Sequence, residues 1–181
     1  MTPVQEVMPG LVAESPSDGG PAALLDGARR EAMARAGRLL ATRARSEAEL
    51  TRRLAEAGFE ASVVSAVIDR LRTLGLVDDR AFAVQWVRER STRKKLSSRA
   101  LLHELTGKGI DREVAEAALA EGGLDETAQA TDLASRYVRR VASKPLREQA
   151  TKIQQMLSRR GYSYEVCDAA VKAVLPPEGW D

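Results

Sequence analysis

Three segments of the chain repeat one pattern at nearly constant spacing. LAEAGFEASVV, LTGKGIDREVA and LSRRGYSYEVC begin at residues 54, 105 and 157, offsets of 51 and 52 residues. Each reads Leu-x-x-x-Gly-apolar, then a polar residue, then an apolar helical pattern. The physical content is a helix stop followed by a helix start. Gly58, Gly109 and Gly161 can adopt the left-handed conformation that ends a helix. The next residue (Phe59, Ile110 or Tyr162) then folds back onto the Leu four positions before the Gly. Glu60, Asp111 and Ser163 fall where the following helix begins. Asp and Ser are good N-caps, whereas Glu is a poor one, so Ser62 is expected to cap the first of these helices.

The equivalence extends beyond the stops. Leu50, Leu101 and Ile153 align in the helix before each stop, Phe82 aligns with Leu133, and Trp86 with Tyr137. Val64, Val67, Ile68 and Leu71 follow helical spacing, as do Met33, Ala36 and Leu40, and Leu146, Ala150, Ile153 and Leu157. With 44% hydrophobic but only 4% aromatic residues, the composition favours helices over sheets. The expected fold is all-α: three tandem three-helix repeats forming an elongated curved rod, over 29–77, 78–123 and 124–181. A single globular bundle is the alternative. Residues 1–27 carry four Pro and four Gly without periodicity, and residues 1–28 are expected to be a disordered N-terminal tail.

Adjacent carboxylates in VDDRAFAVQWVRER (77–90) pose the question of an acid/base dyad. Asp78 falls at the N-cap of a helix and Asp79 in its first turn, where negative charge meets the helix dipole. Neighbouring helical side chains diverge by about 100°, which argues against a cooperating pair. No other catalytic arrangement emerges. His103 is the sole histidine and reads as a helix-surface residue. Cys167 lies on an apolar helix face and reads as a small buried hydrophobe. One Cys excludes an intrachain disulfide, and one Cys with one His is too few for a zinc site. GKGI (107–110) lacks the spacing of a phosphate-binding loop. No enzyme activity, cofactor or metal is expected. No apolar run reaches membrane-span length and no signal peptide is evident, so a cytoplasmic protein is expected.

Charge is the feature the fold does not absorb. The net charge is +2, but residues 1–28 hold four acids and no Lys or Arg, leaving the body at +6. Arg88, Arg90, Arg93, Lys94 and Lys95 fall within eight residues, Arg99 follows, and only Glu89 stands among them. Lys108 and Arg159-Arg160 occupy equivalent helix ends in the second and third units. Together these nine residues are the candidate partner-binding face.

RSEAEL (45–50), LGLVDDRAFAVQWVRER (74–90), LTGKGI (105–110) and LSRRGY (157–162) together resemble the bacterial RecX family, over roughly residues 29–175. The resemblance implies three tandem three-helix repeats. It also implies a regulator that binds the RecA–DNA filament in its groove and opposes ATP hydrolysis, strand exchange and co-protease activity. A monomer touching the RecA filament, and single-stranded DNA phosphates within it, is the expected assembly. Family members often carry a Gly in the loop after the fourth helix, where this chain has RKKLSS. The rival reading is a winged-helix DNA-binding regulator, because residues 46–79 resemble its three-helix part. That fold next needs a β-hairpin wing, and no hairpin signal follows.

Overall fold

The structure, a computed structural model, describes residues 21–177. They form nine helices and no strand: α1 (Pro21–Thr42), α2 (Glu47–Ala55), α3 (Ala61–Thr73), α4 (Asp79–Arg93), α5 (Ser98–Gly107), α6 (Arg112–Gly122), α7 (Glu126–Val141), α8 (Leu146–Ser158) and α9 (Tyr164–Val174). Helices pack in threes, α1–α3, α4–α6 and α7–α9, each around its own apolar cluster. Leu50, Leu101 and Ile153, and Leu54, Leu105 and Leu157, are fully buried at matching places in the three clusters. The three-unit all-α reading therefore holds and the single bundle does not. The segment that a winged helix would need as a hairpin is inside α4.

The stops behave as their sequence implies. Gly58, Gly109 and Gly161 have φ of 89°, 78° and 90°. Phe59 N–H donates to the Leu54 carbonyl (3.3 Å) and Ile110 N–H to the Leu105 carbonyl (3.1 Å). Asp111 and Ser163 cap α6 and α9 through their side chains. Glu60, not Ser62, occupies the N-cap position of α3, and its side chain caps nothing. Its backbone is extended while the carbonyl accepts from Val64, so the helix starts at Ala61 and Ser62 is already helical.

Helix α1 begins at Pro21, upstream of the expected tail boundary at residue 28. Pro suits the first helical position because its missing N–H has no partner there anyway, and Ala22, Ala23, Leu24 and Leu25 are strong helix formers. The tail assignment for residues 1–20 lies outside the described residues.

Successive units are joined by the same device. Between units one and two, Ser46 Oγ, which caps α2, donates to the Lys108 carbonyl (2.7 Å), and Glu47 N–H donates to Asp79 Oδ1 (2.9 Å). Between units two and three, Ser97 N–H donates to the Arg160 carbonyl (3.0 Å), and Ser98 N–H donates to Glu126 Oε1 (2.6 Å). In each case the start of a unit's second helix docks on the next unit's stop and on the acid opening its first helix. This answers the question of the paired carboxylates. Asp78 caps α4 by accepting from Ala81 N–H, and Asp79 faces away to cap α2 of the preceding unit. Burial pushes the Asp79 carboxyl above its ordinary range, partly offset by the Glu47 N–H. Four residues before Ile153, where Ser46 and Ser97 precede Leu50 and Leu101, stands Gln149, inside α8. Its amide is consumed by the Ala142 and Lys144 carbonyls, so the docking element is not repeated at the far end.

Candidate partner-binding surface

The nine basic residues divide into two groups. Arg90 and Lys108 turn inward around Trp86. The Arg90 guanidinium lies 4.1 Å from the indole centroid and Lys108 Nζ 4.3 Å from it, both within cation–π range. Trp86 stacks on Phe82 and donates its Nε1–H to Glu104 Oε2 (2.8 Å), which also pairs with Arg90 at 3.6 Å. Lys108 completes the first junction through Glu49 (3.0 Å). These two cations are paired with carboxylates inside the fold. Trp86 is half-buried in this cluster, and Tyr137 is half-buried at the equivalent place in α7.

Glu49 is the centre of that junction. Its side chain is 10% exposed and accepts from both Arg43 and Lys108. Burial alone would raise its pKa, but the hydrogen bonds from Arg43 and Lys108 outweigh that and hold it at about 2. Because the folded value is depressed, the contribution to stability is complete above the ordinary value of 4.5 and is lost as pH falls through about 2. Its expected size is on the order of 2 kcal/mol, below the full shift because Arg43 is half-exposed and screened. Urea unfolding across that window, compared between the parent and Glu49→Gln, should show the parent losing an increment that the variant never has.

The second group, Arg88 apart, gathers at the second junction. Arg93 closes α4, Lys94 and Lys95 form the loop to α5, and Arg99 lies in the first turn of α5. Arg99 Nε donates to the Gly161 carbonyl (3.1 Å), and Ser97 N–H holds the Arg160 carbonyl, so Arg159-Arg160 are brought to this loop. Arg88 is exposed on α4, in a shallow cleft with Arg80, Glu89 and Glu121. None of Arg88, Arg93, Lys94, Lys95, Arg99, Arg159 and Arg160 pairs with a carboxylate among the described residues. The junction beneath them is polar, and the Glu126 carboxylate in it is held by Ser98 N–H rather than by any of these cations. Tyr162 donates its hydroxyl toward the Lys95 carbonyl (3.0 Å) and Gln129 Oε1 (2.6 Å), and Gln129 Nε2 donates to the Ser91 carbonyl (3.0 Å). Burial, then the nearby Glu126 charge, pushes the Tyr162 phenol up to about 12, so it remains a donor.

Lys95 has φ 53°, the left-handed conformation that a Gly takes without penalty. The chain thus keeps the loop geometry a Gly would give while carrying a cation there. Lys95→Gly should raise the unfolding free energy measured in urea by about 0.5–1 kcal/mol through relief of that strain, with the loss of one surface charge.

His103 is exposed on α5. Cys167 is buried, its thiol pushed up by that burial. No cluster of His, Cys, Asp and Glu among the described residues could hold a metal ion, and no described helix is long and apolar enough to cross a membrane. What the sequence reading missed is a second aromatic cleft, on unit three. It is lined by Leu133, Arg136, Tyr137, Arg140, Met156 and Arg160.

Comparison with known proteins places this architecture. Residues 32–71, 78–119 and 125–171 match the models of the first, second and third three-helix domains of RecX. The regulatory protein RecX of Mycolicibacterium vanbaalenii is 39% identical, with 90% of this chain aligned to 94% of that one. That of Mycobacterium avium is 42% identical over 78% of this chain and 83% of its own. The crystal structure of RecX from Lactobacillus salivarius superposes with a TM-score of 0.74 over 82% of this chain and 97% of that one, at 24% identity. With three domain models matched in order over most of its length, the chain belongs to the RecX family of regulatory proteins.

Proposed function

We propose that this protein is a non-enzymatic cytoplasmic regulator that binds the RecA–DNA filament as a monomer and restrains it. ATP hydrolysis, strand exchange and co-protease activity would all fall. Family membership supports the partner. The observation that carries the choice of surface is the run of unpaired cations at the second junction, from Arg93 to Arg99 and on to Arg159-Arg160. Cations that stabilised only their own helices would be neutralised, as Arg90 and Lys108 are. These are instead held on a well-bonded platform, paired with no carboxylate among the described residues, and left for an external anion.

The mechanism is bridging. Units joined by repeated backbone-anchored contacts present their cations at fixed separation, so the chain can lie along the filament and touch more than one RecA protomer. Cross-linking protomers opposes the subunit motion that accompanies ATP turnover. Contacts to phosphate within the filament make binding fall with salt. The test is titration of the protein into RecA with single-stranded DNA and ATP while hydrolysis is followed. Inhibition that saturates below one copy per RecA supports bridging; unchanged hydrolysis and no co-sedimentation with the filament reject the proposal.

A further inference from the structure

The two aromatic clefts are copies of one site, and their differences assign a ligand to the second. With the 51-residue offset, Phe82, Gln85, Trp86 and Glu89 of α4 correspond to Leu133, Arg136, Tyr137 and Arg140 of α7. With the 52-residue offset, Glu104 and Lys108 of α5 correspond to Met156 and Arg160 of α8. In unit two the cleft is small, about 160 Å³, and is walled by Arg43 and Ala44 of unit one. Its ring is covered by Arg90 and Lys108, and Glu104 and Glu49 balance those charges. That copy is satisfied by the chain itself.

In unit three the acids of the first copy, Glu89, Glu104 and Glu49, have no acidic counterpart. Gln85 and Glu89 become Arg136 and Arg140, Glu104 becomes Met156, and the place of Glu49 in the preceding unit falls to Ala100. The cleft widens to about 310 Å³. Arg136 pairs with Asp132 (2.8 Å), whereas Arg140 and Arg160 have no carboxylate partner among the described residues. The linker residues matching Arg43 and Ala44 are Lys94 and Lys95, and Lys95 is tied to this unit by Tyr162. The result is a half-buried tyrosine ring beside Leu133 and Met156, flanked by three guanidinium groups of which only that of Arg136 is neutralised among the described residues, while Arg160 is steadied by the Met156 carbonyl (3.1 Å).

From this we infer that the Tyr137 cleft is a subsite for one nucleotide of a single-stranded nucleic acid. A base, splayed from its neighbours, stacks on the Tyr137 ring over the Leu133–Met156 floor. Its phosphates meet Arg140 and Arg160, whose planar forks suit phosphate oxygens better than lysine would. Bases of a duplex hide their faces in the stack, so the cleft excludes them. The assignment deepens the proposed function and rests on it only in taking the filament's strand as the biological source.

The test omits RecA. Binding of fluorescein-labelled oligo-dT to the full chain at low salt is followed by anisotropy. Tyr137→Ala is expected to weaken it about tenfold and Tyr137→Phe to leave it within about twofold. Arg140→Gln should lower the slope of log affinity against log salt by about 0.7. A bromodeoxyuridine-substituted strand should photo-cross-link to the peptide bearing Tyr137. Unchanged affinity in Arg140→Gln together with Tyr137→Ala, each folded by circular dichroism, overturns the assignment. So does equal competition by duplex or by poly-glutamate, the latter marking the cleft as an acidic-peptide site. If Tyr137→Ala does not fold, the Arg140→Gln slope and the cross-link decide. A parent protein that inhibits RecA but binds no oligo-dT rejects the cleft alone; a parent that binds oligo-dT but does not inhibit RecA rejects the regulatory reading alone.

Discussion

Gly109→Val is expected to destabilise the protein by about 3 kcal/mol or more, adding backbone strain to overpacking. Two independent causes act at this position. Gly109 has φ 78°, where a β-branched side chain is strained. A Cβ there would also collide with the Cβ of Ala48, on α2 of the preceding unit. Ala48 cannot yield without moving α2, which is anchored by Ser46 to the Lys108 carbonyl one residue from the substitution. The effect therefore divides between unit two and the first junction. Gly58→Val is the control: φ is 89°, but nothing lies within 4 Å of its Cβ position. It should cost about 1–2 kcal/mol, the strain alone. Gly161→Val repeats the Gly109 case at the second junction, where its Cβ would sit 2.6 Å from Ser97 Oγ and 2.7 Å from Ala100 Cβ. Urea midpoints for the three variants check the ranking. Equal losses at Gly58 and Gly109 would show that the junction adapts freely.

That ranking separates what was legible in the sequence from what was not. The stops were legible because every determinant is local. A Leu, a Gly four residues later and an apolar residue after it fix the geometry within six positions, and all three glycines take the same left-handed φ. The junctions were not, because their partners are remote: Ser46 and Lys108 are 62 residues apart, and Glu49 and Lys108 59. The same distance explains why nine cations read as one face. Nothing near Arg90 or Lys108 in the chain announces that Trp86, Glu104 and Glu49 will absorb them. Asp79 reads in the sequence as a first-turn acid, and its use as a cap for another unit's helix needs the fold. The Tyr137 cleft was within reach. Trp86 and Tyr137 were already matched, and extending that register by one helical turn shows Glu89 replaced by Arg140. Glu60 shows the opposite limit: poor intrinsic capping did not move the start of α3, because Gly58 and the Phe59 fold-back had already set it.

Reversing Arg93, Lys94 and Lys95 to Glu should weaken filament binding about a hundredfold at about 50 mM salt and much less at about 200 mM, since the lost attraction is electrostatic. Helicity should stay intact. Arg93 and Lys94 are exposed, and at Lys95 the contact that matters is made by its carbonyl, which any residue supplies to Tyr162. Glu at the left-handed Lys95 position is no worse placed than Lys, so strain does not confound the result. The slope of log affinity against log salt should fall by about 2, the count expected when three contacts to single-stranded phosphate are lost. Arg90→Glu provides the contrast. Its partner Glu104 would face a like charge beside Trp86, so this variant should lose stability first and binding only as a consequence. Sequence-tolerant, weak binding to naked duplex is expected of the parent; a specific duplex bound orders of magnitude more tightly would instead indicate a promoter-binding regulator. Inhibition of RecA ATP hydrolysis by the triple variant at parental concentrations, with the fold intact, would remove the second-junction cations from the binding surface and leave the family assignment standing.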